Sequence, residues 1–263
     1  MNKKNLLELT QLAEVKDKIT AADKVLLFLD YDGTLAPFKP DPAQAYPLPA
    51  ALKQLEILQQ LDKYTLNFVS GRKLSDLKKM LKLEGVNYAG SHGLEIDLTF
   101  AAEIIYPLAK QKIDQQSRKL YQNVKKNYEK KAGFRVEDKG FGLAIHLETT
   151  LNQDKIVTDL LQKFKSTKYQ VLPGRKVIEI RLTGWDKGKT VEYIKDEIVA
   201  RDKLSNYLII YLGDDSTDED VFCQLEQGIT IYIKNESNLK TAAEYFLADP
   251  AAVADFLKEL VET

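Results

Sequence analysis

Hydrophobic residues along this chain follow two patterns, one typical of buried strands and the other typical of amphipathic helices. Short continuous apolar runs, each of which fits a strand buried on both faces, lie at 25–29, 64–69, 87–89, 207–211 and 229–233. Apolar residues at helical spacing lie between or after these runs, at 48–61, 74–83, 187–200, 218–227 and 250–261. Strands that alternate with helices in this way predict an α/β fold with a doubly wound parallel sheet.

The amino-terminal segment predicts a helix, because Leu6, Leu9, Leu12, Val15 and Ile19 recur at helical spacing over roughly the first 20 residues. Its basic start is not followed by the apolar core of roughly 7–15 residues that a secretory leader needs. The apolar runs elsewhere are far shorter than the ~20 residues of a membrane span. We therefore expect a cytoplasmic protein without a membrane partner.

The pattern changes between residues 106 and 183, where two helical stretches accompany two hairpin signals. The turn signals are Asp138-Lys139-Gly140 and Pro173-Gly174-Arg175, and each separates two strand-like runs. Two hairpins and two helices predict a small α+β unit of ordinary domain size. We therefore predict a core domain over 1–105 and 184–263, interrupted by an inserted domain over 106–183.

Composition and charge narrow the function classes. The 263 residues are 44% hydrophobic and 29% charged, with a formal net charge of −1, and this balance lacks the basic footprint of a nucleic-acid-binding protein. Cys223 is the only cysteine, so the chain has neither an intramolecular disulfide nor a Cys/His cluster for zinc. We therefore expect a small-molecule partner rather than a nucleic acid.

Two aspartates, separated by one residue, follow the first apolar strand. Side chains alternate along a strand, so Asp30 and Asp32 point to the same side of its carboxyl end, where open α/β sheets bind ligands. Two carboxylates directed at one point repel each other unless they share a proton or a cation, and Mg²⁺ suits oxygen ligands. The pattern favours a Mg²⁺ site, and a solvated turn is the alternative interpretation.

Other strand ends carry polar residues that the predicted topology brings to the same crevice. Ser70 follows the second strand, Asp214, Asp215 and Asp218 follow a later one, and Lys187 lies near the start of a helix. A carboxylate nucleophile, a metal held by carboxylates, a hydroxyl and an ammonium group together suit phosphoryl transfer. A second carboxylic acid can protonate the leaving oxygen and then activate water.

Four motifs resemble, in content and order, those of the haloacid dehalogenase superfamily of phosphatases, which has a Rossmann-like core. They are Asp30-x-Asp32-Gly33-Thr34, Ser70, Lys187 and Gly213-Asp214-Asp215-x-x-Asp218. The resemblance implies that Asp30 is the catalytic nucleophile and Asp32 the acid/base. It also implies that Ser70 binds the phosphoryl group and that Lys187 neutralises its charge.

The same resemblance implies a Mg²⁺ site. Asp30, Asp214 and the backbone carbonyl of Asp32 would hold the ion. Asp215 and Asp218 would complete or orient this metal shell. For Asp218, capping of the helix that it begins is an equal alternative.

A longer set of motifs is similar to the trehalose-6-phosphate phosphatase family. They are Asp30-Tyr31-Asp32-Gly33-Thr34-Leu35-Ala36-Pro37, Ser70-Gly71-Arg72, Gly90-Ser91-His92-Gly93-Leu94-Glu95, Gly184-Trp185-Asp186-Lys187-Gly188 and Gly213-Asp214-Asp215-Ser216-Thr217-Asp218-Glu219-Asp220. The resemblance places Gly71, Arg72 and His92 on the substrate side. Two interpretations of Arg72 stay open, a phosphate contact and a brace for the loop, and His92 is either a substrate contact or a packed loop residue.

In this family the insertion is an α/β cap that closes over the substrate and reads the sugar. The resemblance assigns sugar contacts to four cap residues, Glu137, Lys139, Arg175 and Glu179. Carboxylate and cationic groups suit the hydroxyls of a disaccharide, and solvated surface charges are the alternative. Relatives often carry an arginine near the end of the second cap strand where this chain has Glu148, so the identity of the sugar stays open.

The predicted activity is Mg²⁺-dependent hydrolysis of trehalose 6-phosphate to trehalose and phosphate through an aspartyl-phosphate on Asp30. One alternative is another sugar-phosphate phosphatase of the superfamily, acting on sucrose phosphate or a mannosyl phosphate. A non-catalytic sugar-phosphate-binding protein on the same fold is the second alternative. The sequence carries no feature that identifies a trehalose-phosphate synthase partner.

Overall fold

The computed structural model describes residues 7–8, 12–39, 41–149, 152–174, 176–235 and 240–263. The chain divides into two compact units, one formed by 1–105 with 186–263 and the other by 106–185. The chain therefore returns to the first unit at Asp186, whereas the sequence placed this return at Gly184.

The units are built from short strands and medium-length helices. The strands are β1 (Leu7–Glu8), β2 (Lys24–Leu29), β3 (Tyr64–Val69), β4 (Asn87–Gly90), β5 (Glu95–Asp97), β6 (Phe134–Asp138), β7 (Gly142–Leu147), β8 (Tyr169–Gly174), β9 (Val177–Leu182), β10 (Tyr207–Gly213), β11 (Ile229–Ile233) and β12 (Tyr245–Leu247). The helices are α1 (Leu12–Ala21), α2 (Pro49–Leu58), α3 (Leu74–Leu81), α4 (Gln115–Glu129), α5 (Gln153–Phe164), α6 (Lys187–Asp202), α7 (Glu219–Gln224) and α8 (Pro250–Val261). Over the described residues, none of these helices combines the length and the apolar character needed to cross a membrane.

The first unit contains an eight-stranded sheet in the order β1-β12-β11-β10-β2-β3-β4-β5. All neighbouring strands are parallel except β4 and β5. The central strand β2 aligns Leu29 with Leu212 of β10 on one side and with Phe68 of β3 on the other. Its near-continuous apolar sequence follows from burial on both faces, and the predicted α/β fold is confirmed.

Helices cover this sheet through their apolar stripes. Ile19 of α1, Leu55 of α2 and Leu257 of α8 are fully buried in one cluster with Leu27 and Leu29 of β2. Removing such side chains from water is the main favourable term that holds helices against a sheet.

The amino terminus differs from the prediction of one continuous helix. Residues 7–8 form a strand that pairs in parallel with Tyr245 and Phe246 of β12, and the helix begins only at Leu12. The predicted positions Leu6 and Leu9 lie outside the described residues. The edge of the sheet offers unpaired backbone groups, and a pairing partner so distant in sequence leaves no mark in local periodicity.

The second unit has a four-stranded antiparallel sheet in the order β6-β7-β9-β8, and both predicted hairpins are present. Tyr121 of α4 and Phe164 of α5 pack in one buried cluster with Ile145 and Ile180 of the sheet. Asp114 fixes the start of α4, because its carboxylate accepts hydrogen bonds from the Ser117 backbone N and Oγ at 2.8 and 2.6 Å.

Candidate active site

Three polar residues lie at the carboxyl ends of three neighbouring strands in the first unit. Asp30 follows β2, Ser70 follows β3, and Asp214 follows Gly213 at the end of β10. Because β2 lies between β10 and β3, these ends are adjacent in the sheet. All three residues are buried. The carboxyl ends of these strands therefore carry a buried polar site and not a solvated turn.

Lys187 connects two carboxylates at the centre of this site. Its Nζ donates to Oδ1 of Asp30 and to Oδ1 of Asp218, both at 2.7 Å, and the residue is only 1% exposed. Burial alone would lower the pKa of Lys187, but the facing carboxylates of Asp218 and Asp30 raise that pKa well above its ordinary value. Lys187 is therefore a fixed positive charge beside the proposed nucleophile.

Asp218 holds Lys187 and the loop after β10 in place through hydrogen bonds. Its Oδ2 accepts the backbone N–H groups of Asp214 and Asp215 at 3.0 Å each. Its Oδ1 accepts the Tyr211 hydroxyl in addition to Lys187. Asp218 makes no side-chain hydrogen bond to α7, so the helix-capping alternative is wrong, and the residue orients Lys187 and the loop after β10.

Three buried carboxylates fit a divalent cation. Asp30, Asp214 and Asp218 each offer one oxygen, and these oxygens lie within 4.8 Å of one another. Within the described ranges, Oδ1 of Asp214 is buried without a hydrogen-bond donor, while Oδ2 accepts Nδ2 of Asn235 at 2.9 Å. An orphaned buried carboxylate oxygen is a favourable ligand for a hard cation. Because both oxygens of Asp218 already accept donors, Asp30 and Asp214 are the better direct ligands.

The electrostatics of these carboxylates agree with this fit. Burial raises the pKa of Asp30 well above its ordinary value, even though Lys187 attracts the ionised form. Burial, and after it the negative charges of Asp30 and Asp215, raise the pKa of Asp214 in the same way. A bound cation would offset the cost of ionising Asp30 and Asp214, because it favours the ionised form of both groups.

Asp215 does not join the group of three carboxylates. Its Oδ1 accepts the backbone N and Oγ1 of Thr217 at 2.6 and 2.7 Å. Burial alone would raise the pKa of Asp215, but attraction by Lys187 and the Thr217 hydrogen bonds lower it. The carboxylate of Asp215 therefore shapes the loop after β10.

Arg72 clamps Asp32. Its Nε donates to Oδ2 of Asp32 at 2.7 Å and its Nη2 to Oδ1 at 2.6 Å, a bidentate ion pair. Nη2 also donates to the carbonyl of Pro42 at 2.8 Å, and the guanidinium carbon lies 4.9 Å from the centre of the Tyr31 ring. Of the two interpretations of Arg72, the structure shows the brace for the Asp32 loop.

Ser70, Gly71 and His92 pack together after the carboxyl end of β3. Oγ of Ser70 accepts the backbone N of Arg72 at 3.2 Å, and the Ser70 carbonyl accepts the backbone N of His92 at 2.8 Å. A Cβ added to Gly71 would lie 2.8 Å from Nε2 of His92, so only glycine allows the imidazole to approach this closely. His92 is thus a buried neighbour of the Ser70 loop.

Gly33 is required by its position next to Asp214. Its φ of +80° is in the left-handed region, and a Cβ there would lie 2.1 Å from Oδ2 of Asp214. The Asp-x-Asp-Gly sequence therefore combines two carboxylates with the one residue type that lets a third come close.

Comparison with known proteins identifies the family. A family model described as Trehalose-phosphatase matches residues 28–251. The chain belongs to this trehalose-phosphatase family. The matched range contains the strand ends described above and the whole second unit.

Curated relatives of this family are similar over most of the chain. A probable trehalose-phosphate phosphatase D of Arabidopsis thaliana is 32% identical over 97% of this chain and 71% of its own length. Trehalose 6-phosphate phosphatase RA3 of Zea mays is 31% identical over 95% of this chain and 73% of its own length.

Solved structures share the fold. The C-terminal domain of C. albicans trehalose-6-phosphate phosphatase superposes with a TM-score of 0.84 at 23% identity, covering 98% of this chain and 99% of that one. A trehalose-6-phosphate phosphatase related protein gives a TM-score of 0.70 at 23% identity, covering 90% and 97% of the two chains.

Three of the four predicted sugar-contact residues lie among the described residues of the second unit of this trehalose-phosphatase family member. Nζ of Lys139 and Oε1 of Glu179 form an ion pair at 2.7 Å. Glu137 lies on the same sheet face, because both it and Glu179 are aligned with Ala144 of β7. Arg175 lies outside the described residues.

Two residues of the first-unit site were missed by sequence reasoning. Tyr211 donates its hydroxyl to Asp218, and Asn235 donates Nδ2 to the Asp214 carbonyl at 2.8 Å and to its carboxylate. Asn235 follows β11, so the strand-end signal that pointed to Ser70 was available for it. A tyrosine inside an apolar strand carries no comparable signal.

Proposed function

We propose that the protein hydrolyses trehalose 6-phosphate to trehalose and inorganic phosphate. The observation that carries this proposal is the buried arrangement in which Lys187 bridges Asp30 and Asp218, beside an oxygen of Asp214 that has no donor among the described residues. Paired carboxylates with a fixed ammonium group suit attack on a phosphate ester. Membership of the trehalose-phosphatase family supports the choice of substrate.

Asp30 is the nucleophile in the proposed reaction. One of its carboxylate oxygens attacks phosphorus, and the bond from phosphorus to the sugar oxygen breaks as Asp32 protonates that oxygen. Water then attacks the aspartyl-phosphate, Asp32 takes its proton, and the bond from phosphorus to Asp30 breaks. Arg72 holds Asp32 in place between these proton transfers, since both carboxylate oxygens contact its guanidinium.

The other residues of the first unit hold the phosphoryl group. Lys187 offsets the negative charge that approaches Asp30, and Ser70 donates its hydroxyl to a phosphoryl oxygen. Gly71 lets the imidazole of His92 pack closely against the loop that carries Ser70.

Mg²⁺ is the proposed cofactor. The side chains of Asp30 and Asp214 and the backbone carbonyl of Asp32 would hold it, and Asp215 would orient the loop that carries Asp214. When bound, the ion supplies positive charge that lets an anionic nucleophile approach an anionic phosphate.

The second unit supplies the proposed sugar contacts, from Glu137, Lys139, Arg175 and Glu179. The Lys139–Glu179 pair offers both a donor and an acceptor to neighbouring hydroxyls. A site built to hydrogen-bond hydroxyls rejects phosphate esters that lack them.

The test is phosphate release from a panel containing trehalose 6-phosphate, sucrose 6-phosphate, a mannosyl phosphate and glucose 6-phosphate. We expect the highest kcat/KM for trehalose 6-phosphate, and Asp30→Asn should lower its turnover by at least about 10³-fold. Asp255→Asn is the matched control, because this exposed aspartate lies on α8. Equal turnover of all four esters would overturn the substrate assignment, and full activity of Asp30→Asn would overturn the mechanism.

A further inference from the structure

Arg181 is a buried cation, and two of its three donor nitrogens have no hydrogen-bond acceptor in the described part of the chain. It lies on β9, is only 6% exposed, and its Nε and Nη1 are buried without a partner. A guanidinium is always charged, and arginine is almost never fully buried unless it is paired. These two N–H groups therefore point to an acceptor that the described residues do not supply.

The strand register places Arg181 on the polar face of the second unit. Alternate β9 residues pack into the buried cluster beneath α4 and α5: Ile178, Ile180 and Leu182. Arg181 and Glu179 therefore point to the opposite face. On β7, Gly142 is aligned with Arg181 and Ala144 with Glu179. Two small residues of β7 thus pair with two charged residues of β9. Their short side chains leave space above the sheet beside Arg181 and Glu179.

The neighbouring carboxylate does not neutralise Arg181. Glu179 lies two residues earlier on the same face, but its Oε1 is paired with Nζ of Lys139 at 2.7 Å. The ion pairs of the described residues do not include one to Arg181. A face on which Glu137, Glu179 and Lys139 accompany an arginine with two unpartnered N–H groups suits an oxygen-rich ligand that both accepts and donates hydrogen bonds.

We propose that Arg181 is a sugar-binding residue that determines specificity, donating Nε and Nη1 to hydroxyl oxygens of the disaccharide. This assignment rests on the proposed function and adds a fifth residue to the sugar contacts of the second unit. The two N–H groups of one planar guanidinium match two adjacent oxygens in geometry.

A sugar-binding role for Arg181 predicts effects on stability and KM that differ from those of an arginine that only holds the fold together. Without ligand, the buried charge is not compensated, so Arg181→Met should leave the urea midpoint of unfolding unchanged or raise it. The same variant should raise KM for trehalose 6-phosphate by about 10- to 100-fold, because hydrogen bonds to charged groups are lost and each tenfold corresponds to about 1.4 kcal/mol. Hydrolysis of p-nitrophenyl phosphate, which has no sugar, should keep its kcat/KM within about twofold.

The experiment compares the full-length parent, Arg181→Met and the matched control Arg118→Met, an exposed arginine on α4. An unchanged KM for trehalose 6-phosphate, or equal losses on both substrates, would overturn the assignment. If Arg181→Met does not fold, Arg181→Lys keeps the charge but loses the paired donors. Its calorimetric affinity for trehalose should then fall by about tenfold, and parental affinity would overturn the assignment.

Failure of the proposed function gives a different result. In that case the parent protein itself does not turn over trehalose 6-phosphate, and the sugar phosphate that it hydrolyses fastest replaces it in the comparison. Loss of KM selectivity for that ester in Arg181→Met still supports the role of Arg181, and an unchanged KM overturns it.

Discussion

Replacing Lys187 by methionine tests the electrostatic centre of the site. The change leaves two buried carboxylates without the ammonium that lies 2.7 Å from each. At that distance and an effective dielectric constant of about 20, each attraction is about 6 kcal/mol. The desolvation of the charges offsets much of this, and breaking a buried ion pair typically costs about 3–5 kcal/mol.

Proton uptake by a carboxylate of the variant limits the loss in the free energy of unfolding and makes this loss depend on pH. One additional proton on Asp30 or Asp218 restores the net charge of the cluster. Protonating a carboxyl with an ordinary pKa of about 3.9 costs about 5.6 kcal/mol at pH 8 but only about 2 kcal/mol at pH 5.5. We therefore expect Lys187→Met to lower the free energy of unfolding by about 3–5 kcal/mol at pH 8, and by at most about 2 kcal/mol at pH 5.5.

Lys187 itself does not cause this pH dependence. Its folded-state pKa is raised above the ordinary value of 10.5, so its stabilisation is complete below that value and is lost only as the pH rises through the folded-state pKa. The lysine is charged at both test conditions, and the difference arises from the carboxylates of the variant.

The assay is urea unfolding of the metal-free protein in a chelator at both pH values. Lys189→Met is the matched control, since this lysine lies on the same helix and its side chain is 46% exposed. The control should change stability by less than about 1 kcal/mol. A loss in Lys187→Met no larger than in the control, or a loss that does not shrink at pH 5.5, would refute the electrostatic reasoning.

Three further predictions concern the metal site, the Gly33 turn and a helix cap. Because the folded-state pKa of Asp214 is raised, its ionised form costs stability as the pH rises above the ordinary value. Without metal, Asp214→Asn should therefore raise the thermal midpoint of unfolding at pH 8. Mg²⁺ at 100 times its Kd should stabilise the parent by ~2.7 kcal/mol, and the variant should lose most of this stabilisation. An equal stabilisation of both proteins by Mg²⁺ would contradict the assignment. Gly33→Ala should lower the rate of phosphate release by at least about 10²-fold. The control is Gly85→Ala, because Gly85 has a φ of +72° but open space around it; this variant should lose only about 1–2 kcal/mol of stability and keep its activity. Equal effects of the two substitutions on activity would argue against the contact with Asp214. Asp249→Ala removes the acceptor for the backbone N–H groups of Ala251 and Ala252, so urea unfolding should show a loss of about 1 kcal/mol with unchanged kcat, and a large loss of kcat would contradict a purely capping role.

The positions of the strand-end residues followed from local sequence pattern. A short apolar run that ends in Asp30 predicts a buried strand with a polar end, and the structure confirms that strand as β2. The same reasoning held for Ser70 after β3 and Asp214 after β10. These predictions succeed because period and burial are properties of neighbouring residues.

The contacts of those residues could not be predicted in the same way. Pattern reasoning left Asp218 between a metal ligand and a helix cap, and the choice depends on hydrogen bonds to Lys187 and Tyr211. It also left Arg72 between a phosphate contact and a brace for the loop, and the brace depends on an ion pair with Asp32, 40 residues away in the sequence. Side-chain partners depend on distances across the fold.

The sequence by itself determined the α/β class, the alternation of strands and helices, the insertion and the strand ends that carry carboxylates. Each of these is encoded in residues close together along the chain, where periodicity and turn chemistry act. Only the tertiary structure decided that β1 pairs with β12 and that Lys187 and Asp30 meet across 157 residues of sequence. It also decided that two N–H groups of Arg181 are buried without an acceptor among the described residues. These features arise when packing brings distant segments together and removes water from their polar groups, because burial makes each unpaired charge costly and each pairing specific.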